Sequence, residues 1–416
     1  MPLPLYLLAL AVFAMGTSEF MLAGLLPDIA SDLGVTVGTA GMLTPAFAIG
    51  MVAGAPLVAV LARNWPRRSS LLGFVLAFAA AHAVGAGTTS LPVLFATRVA
   101  AALANAGFLA VALAAAATLV PADKKGRALA VLLSGTTVAT IAGVPGGSVL
   151  GTVLGWRATF WAVAALCLPA ALGILKGIPA GHGQAEAAGG PALRAELAQL
   201  RRAPLLLVML LGALVNAATF ASFTFLAPVV TGTAGLGELW ISVVLVLFGA
   251  GSLAGVTAAG RLADRRPGPA VAVAGPLLLL GWPALAVLAA EPVALFVLVF
   301  VQGALSFALG STLITRVLYE AAGAPTMAGS YATAALNVGA VAGPLVAATT
   351  LSTGAGTLGP FWASGLLVAV ALLLALPFRA VITAGRSAER RRVGGSPGSA
   401  GHRRAGCRER AGRPAH

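Results

Sequence analysis

The sequence predicts an all-α integral membrane protein with twelve transmembrane helices in two pseudo-symmetric six-helix bundles. Three observations predict it: a near-absence of charge, an internal repeat, and a one-sided distribution of basic residues. Charged residues are 9% of the 416, against 59% hydrophobic (about 245 residues), with a mean hydropathy of +0.97. Soluble domains carry roughly a quarter charged residues. A helix needs about 20 apolar residues to cross about 30 Å of hydrocarbon, so this set suffices for about twelve spans.

Apolar runs place those spans at about 4–27, 38–62, 69–88, 91–119, 128–152, 158–178, 204–230, 239–260, 270–289, 292–315, 327–350 and 358–380. No Lys or Arg precedes the first run and no small-residue cleavage site follows it, so it is expected to be a retained span rather than a signal peptide. The chain divides into a first bundle, 1–178, a linker, 179–203, a second bundle, 204–382, and a tail, 383–416. Within the linker Leu193, Leu197 and Leu200 share one helical face, with Arg194, Glu196, Arg201 and Arg202 on the others. That pattern predicts a short amphipathic helix on the inner membrane surface. The Arg/Gly/Ser/Pro-rich tail has no apolar period and is expected to be disordered, with attraction to anionic lipid its one foreseeable interaction.

The repeat has four anchors at offsets of 199–201 residues. Pro27 recurs as Pro228, Thr159-Phe-Trp161 as Pro360-Phe-Trp362, Gly143-Val-Pro145 as Gly343-Pro344, and the loop 59–68 as 260–269. Such internal symmetry is the mark of transporters built from two homologous halves.

The charges settle the expected orientation. With the N-terminus inside, the inward segments sum to +17 and the outward loops, holding Asp28, Asp32, Arg157, Glu238 and Glu291, to −3, within a net charge of +14. Cationic loops resist translocation, so both termini are expected in the cytoplasm. The same placement argues against nucleic acid as the partner of the positive charge.

Enzyme readings fail for want of parts. No Gly precedes Lys124, Lys125 or Lys176, so there is no Walker A loop. His82, His182, His402 and His416 are too scattered for a metal site, and the one Gly-x-Ser-x-Gly match, 394–398, lies in the tail. Cys167 and Cys407 form no disulfide framework.

Specific runs carry a family resemblance. Gly260-Arg-Leu-Ala-Asp264-Arg265 resembles the loop signature of the major facilitator superfamily; its first-half copy has Arg63 where the family has Asp. Gly143-Val-Pro145-Gly146-Gly147 resembles the fifth-span signature of its drug:proton antiporters. The small residues of that run also permit close helix packing. The runs Gly16-Thr-Ser-Glu-Phe-Met-Leu-Ala-Gly-Leu25, Ala102-Leu-Ala-Asn-Ala-Gly-Phe108, Gly155-Trp-Arg-Ala-Thr-Phe-Trp161, Asn216 to Pro228 and Ser330 to Asn337 are similar to bacterial chloramphenicol-resistance efflux proteins. The likeness covers about residues 1–382. It implies the major facilitator fold and drug:proton antiport of phenicols across a bacterial plasma membrane. It also implies a monomer with no cofactor beyond the proton-motive force.

Glu19 and Arg98 are the two unambiguous charges inside spans, about 12 Å and about 10 Å from the outer ends of spans one and four. An ionised group there costs about 2.5–3.5 kcal/mol, so each needs a partner or an aqueous cavity. A pair that forms when Glu19 is ionised and loosens when it is protonated is a proton switch; a permanent structural salt bridge is the alternative. His82, at similar depth but alone, is expected to be a packing or solvated histidine. A neutral aromatic substrate needs ring surfaces and a few hydrogen-bond partners. Asn216, Phe220 and Phe223 share one helical face, and Asn105, Gln302 and Asn337 are the other mid-span amides. Each amide has the alternative of binding a neighbouring helix. The rival functions are export of another drug, a sugar or a nucleoside, and, from other classes, a membrane-embedded enzyme or channel.

Overall fold

Every apolar run becomes a helix because a backbone in hydrocarbon must satisfy its own hydrogen bonds. The computed structural model describes residues 2–61, 65–121, 124–178, 193–263, 267–324 and 327–377. The first bundle contains α1 (Leu3–Phe20), α2 (Leu22–Leu33), α3 (Val37–Gly41), α4 (Leu43–Leu61), α5 (Arg67–Gly87), α6 (Leu91–Thr118), α7 (Lys125–Val138), α8 (Val144–Leu154) and α9 (Trp156–Gly177). After the linker helix α10 (Leu193–Ala198) come α11 (Ala203–Thr224), α12 (Leu226–Pro228), α13 (Leu239–Ala263), α14 (Pro267–Leu288), α15 (Pro292–Glu320), α16 (Ala328–Leu351) and α17 (Gly359–Ala375). Among the described residues, eleven spans are long and apolar enough to cross a membrane, and the apolar part of α14, Ala272–Leu288, is a shorter twelfth.

The two bundles repeat one packing scheme. In the first, α1 packs on α7 and α9, α4 on α6, and α5 on α6 and α9. In the second, α11 packs on α16 and α17, α13 on α15, and α14 on α15 and α17. Small residues make these approaches possible. Gly50 and Gly54 of α4 lie against Val99, Ala102, Leu103 and Ala106, and their counterparts Gly251 and Gly255 of α13 lie against Phe300 and Ala304. Each bundle has its own apolar core. Leu168, Leu172, Leu280, Val287, Leu366 and Leu373 are more than half exposed around the perimeter. An apolar belt of that kind faces lipid.

Prolines shape three of the spans. Pro145 has no N–H for the Ile141 carbonyl, and the helix widens there into a π turn, Ala139–Gly143, with Val144 N–H bonded to Ala139 O. Pro228 likewise denies the Thr224 carbonyl a partner; α11 stops, Phe225 leaves helical geometry (φ −106°, ψ 23°), and a π turn follows at Val229–Thr233. Span one passes from α1 to α2 at Met21, and helix α2 continues past Pro27 to Leu33, six residues beyond the span's sequence boundary. Asp28 and Asp32, expected in a loop, are therefore helical, though beyond the span. Gly155, with φ +84°, makes the turn between α8 and α9 that a side chain would strain. It brings Arg157 onto Asp32 at 2.5 Å and Trp156 Nε1 onto the same carboxylate at 3.3 Å.

Two other boundaries differ from expectation. Helix α15 runs on to Glu320, so Arg316 lies in the helix and is buried rather than in a loop. A short helix forms at Leu193–Ala198, and Arg194, Arg201 and Arg202 are exposed, but Glu196 of the polar set is turned inward. Glu196 is 2% exposed and accepts the Met327 N–H at 2.9 Å, an N–H that opens α16 and is shared with Ala324 O at 3.1 Å. Tyr331 donates to Glu196 O at 2.8 Å and Arg202 to Glu320 O at 3.2 Å, so the segment is strapped to the second bundle. The tail and the start of the linker lie outside the described residues.

The halves meet toward the end that carries α2, α3 and the start of α13, the far end from the N-terminus. There α2 packs on α12, α3 and α4 on α16, and α8 on α13. The Phe225 ring seats against Gly41, and Gly249 lies on the Thr140 carbonyl. In the other half of span five, α7 packs on α1 and α6 of its own bundle.

Candidate functional site

Ser18, Glu19 and Phe20 are consecutive near the middle of span one, and each turns a different way. Ser18 is fully buried toward the interior of the first bundle. Arg98 on α6 is 1% exposed and donates from Nη1 to Ser18 Oγ at 2.7 Å and from Nη2 to Ser18 O at 2.9 Å. The Phe47 ring on α4 covers the guanidinium at 4.4 Å, a cation–π contact strengthened by desolvation. Arg98 Nε has no partner among the described residues. Ser18 Oγ also bonds His82 Nε2 at 2.7 Å, and His82 Nδ1 bonds Phe78 O at 2.8 Å. His82 is thus a packing histidine, between Phe78 and Phe160, but it is not alone.

Glu19, one position on, is half-buried and makes no hydrogen bond with Arg98. The two groups expected to pair are not hydrogen-bonded to each other in this structure.

Phe20 faces the other bundle. It stacks on Phe220 at 5.6 Å and meets Phe223 edge-on at 6.1 Å; Phe223 continues to Phe248 at 4.7 Å, and Phe248 to Phe307 at 6.1 Å. Phe220 and Phe223 therefore belong to an aromatic stack that crosses between bundles. The sequence reading missed Phe20, Phe248 and Phe307.

The amides are dispersed. Asn216 donates to Leu336 O of α16 at 2.7 Å, and Asn337 to Thr333 O of its own helix at 2.9 Å. Asn105, 7% exposed, faces Met51 Sδ at 3.6 Å. Gln302 is fully buried and donates to Leu278 O at 3.2 Å. It sits between α15 and α14, a helix whose main partners, α15 and α17, belong to its own bundle. The Gln302 amide is thus used in the packing of α15 on α14.

Of the antiporter-motif residues, Gly143 abuts Thr17 and Phe13 of α1, Gly147 lies on Thr159, and Gly146 has open space beside it. Thr159 donates to the Gly147 carbonyl at 2.8 Å, tying the fifth span to the sixth. Pro145 is buried within the widened turn. Gly260 falls in the last turn of α13, while Asp264 and Arg265 lie outside the described residues.

Two cavities lie between the halves. One of about 10 Å³ is lined by Phe20, Thr140, Val144, Phe223, Phe248, Ser252 and Phe307. The other, about 190 Å³ at the far end, is lined by Gly24, Pro27, Asp28, Thr152, Thr231, Leu236, Gly237, Glu238 and Ile241. None of Asn105, Asn216, Gln302 or Asn337 lines either one. Burial raises Asp28 above the ordinary carboxylate range, and the Glu238 charge across the cavity adds to the shift. Among the described residues no group of three or more His, Cys, Asp or Glu side chains is placed to hold a metal.

Comparison with known proteins agrees with this architecture. The family model for the Major Facilitator Superfamily matches residues 8–327. A "Chloramphenicol resistance protein" of Streptomyces lividans is 82% identical over 389 residues, covering 94% of this chain and 99% of that protein. The "Inner membrane transport protein YdhP" of Escherichia coli K12 is 32% identical over 353 residues, 85% of this chain and 90% of that one. Among solved structures, the nucleoside transporter NupG aligns with a TM-score of 0.71 at 13% identity, over 91% of this chain and 99% of that one. A bacterial homologue of the lysosomal transporter Spinster aligns at 0.68 and 15% identity, over 92% and 98%. At those identities the two structures speak to the fold alone.

Proposed function

The chain belongs to the Major Facilitator Superfamily, and we propose that within it this protein exports phenicol antibiotics, chloramphenicol first among them, in exchange for protons. The substrate class rests on the likeness to the Streptomyces lividans protein. One observation carries the coupling. Glu19 stands between Ser18, which holds Arg98, and Phe20, which reaches the second bundle through the aromatic stack. A change of charge at Glu19 is therefore felt on one side by the guanidinium and on the other by the contact between bundles.

In the cycle we infer, the far end faces outward, the side to which the −3 loops belong, and both termini lie in the cytoplasm. The protein works as a monomer in the bacterial plasma membrane, with halves 1–178 and 204–382 rocking about the linker. Loss of the Glu19 proton creates an anion that draws Arg98 from Ser18; return of a proton lets Arg98 dock again. Phe220 and Phe223 offer ring faces, and Asn105, Asn216 and Asn337 are the candidate polar contacts. No cofactor enters the cycle. A neutral drug exchanged for one proton moves one positive charge inward, worth about 2.3 kcal/mol per 100 mV in addition to the pH gradient.

Inside-out membrane vesicles test this directly. Energised vesicles should accumulate labelled chloramphenicol, lose it on addition of a protonophore, and respond to membrane potential at fixed pH. Accumulation of a nucleoside or sugar with no phenicol uptake would replace the substrate reading and leave the coupling in place. Reporter fusions at 190 and 390 on opposite sides of the membrane would defeat the topology.

A further inference from the structure

The hydrogen-bond directions around Ser18 are forced from both ends. A carbonyl only accepts, so His82 Nδ1 carries a proton toward Phe78 O at 2.8 Å. A guanidinium only donates, so Ser18 Oγ accepts from Arg98 Nη1 at 2.7 Å. The Ser18 hydrogen is then given to the Nε2 lone pair of His82 at 2.7 Å. With His82 neutral, this arrangement uses the donors and acceptors of all three groups. A second proton on His82 would point an N–H at Ser18 and set a cation beside Arg98, undoing the docking.

We propose that His82, acting through Ser18, is a positioning residue for proton coupling: it holds Arg98 off Glu19 and so sets one of the two resting places between which the guanidinium moves. This rests on the reading of Glu19 as proton carrier. The free N–H of Arg98 Nε supports it, since the docked guanidinium keeps a donor for an ionised Glu19. The second bundle supports it too. The positions 200 or 201 residues on from Ser18, His82, Arg98 and Phe160 hold Ala218, Trp282, Val299 and Phe361. Trp282 stacks on Phe361 at 6.4 Å, where His82 meets Phe160 tilted at 5.6 Å. A ring alone therefore meets the packing need of this slot, and the polar chain exists only in the bundle that carries Glu19. Of the helices packed on α5, α6 brings Arg98 and α9 brings Phe160 with Cys167 two turns beyond; Glu19 follows Ser18 on α1.

The test separates packing from positioning. His82→Phe keeps a ring and removes the acceptor; His82→Gln restores an acceptor that cannot be protonated; Ser18→Ala removes the hydroxyl of the dock and leaves the carbonyl. Probes go on Val153→Cys and Leu239→Cys, exposed positions of α8 and α13, in a Cys407→Ser background with Cys167 buried. Their separation is titrated against pH without drug, and chloramphenicol transport is followed in parallel. An Arg98 released from Ser18 favours the Glu19 anion, so the midpoint should move toward acid. We expect about one pH unit or more for Ser18→Ala, the loss of a hydrogen bond to a charged group. The shift should be smaller for His82→Phe and within about twofold in proton concentration of the parent for His82→Gln. A parent-like midpoint in either Ser18→Ala or His82→Phe, or no pH response in the parent, would overturn the proposal. Should His82→Phe fail to reach the membrane, Ser18→Ala carries the decision. Shifted midpoints in the variants of a parent that moves no chloramphenicol would instead remove the phenicol reading and keep this one.

Discussion

Substituting Gly249 by Ala should loosen the contact between the halves without harming either half. The new Cβ would lie 2.5 Å from Thr140 O, 3.1 Å from Thr140 C and 3.2 Å from Ile141 Cα, all backbone atoms of the first bundle. Ordinary contact begins near 3.4 Å, so α13 and the π turn must part by about 0.9 Å. Neither partner is a flexible side chain that can swing aside. Overpacking of this kind costs about 1–3 kcal/mol. Because Gly249 and Thr140 belong to different bundles, the cost falls on the closed far end and vanishes when that end opens. The closed-to-open ratio should drop roughly 5- to 150-fold. Inter-probe distances between labels at 153 and 239 would read that ratio in membranes. Gly251→Ala is the control, since its Cβ would strike Phe300 O of the same bundle. It should lower thermal stability and leave the distance populations alone. A Gly249→Ala protein with parental distances, or a Gly251→Ala protein that reproduces the shift, would refute the assignment of this contact as the closure.

Glu19→Gln keeps size and hydrogen bonding but cannot release a proton, so uphill chloramphenicol export should fall at least about 100-fold while equilibrium exchange persists; full uphill export would move the search for the coupling site to Asp28. For Asp28 the sign follows from its raised value in the closed cavity, chiefly a burial effect. The closed state binds the proton more tightly, so closure is favoured fully below about pH 4 and loses that support as pH rises through the raised value. Asp28→Asn should flatten the pH dependence of the inter-probe distance, and an unchanged titration would show that Asp28 does not sense the gap. Glu196→Ala removes one of two acceptors of the Met327 N–H, leaving Ala324 O at 3.1 Å, and should cost about 0.5–1.5 kcal/mol in detergent melting, with Glu196→Gln restoring most of it.

The spans and their pairing were legible because both are written in periodicities the membrane enforces. Twenty apolar residues make a crossing wherever they occur, and an offset of 200 or 201 residues carried Gly50 and Gly54 onto Gly251 and Gly255 at the same helix contact. What the sequence could not give is the azimuth. At 1.5 Å per residue the depth of Glu19 and Arg98 can be counted, but α1 is apolar nearly all round and no stripe tells which face meets α6. Ser18 and Glu19 differ by one position, about 100° of rotation at 3.6 residues per turn. That step decides which of them Arg98 reaches. The amides are a related case: Asn216 and Gln302 look alike in sequence, and only the neighbouring carbonyls, Leu336 O and Leu278 O, show that each donates to a flanking helix.

One signal for the missed aromatic was nonetheless present. Phe20 and Phe220 are themselves repeat mates, 200 residues apart. In a protein of two like halves, equivalent residues meet each other only near the axis that relates the halves. A pair of aromatics at equivalent mid-span positions is therefore a mark of the seam between bundles that the repeat alone can supply. The stacking of Phe20 on Phe220 at 5.6 Å is that seam. Glu19 sits one residue from it, while position 219 in the other half holds Thr. The repeat thus brings the halves together symmetrically and leaves the acid on one side only, so a proton at Glu19 biases one bundle against the other instead of acting on both alike.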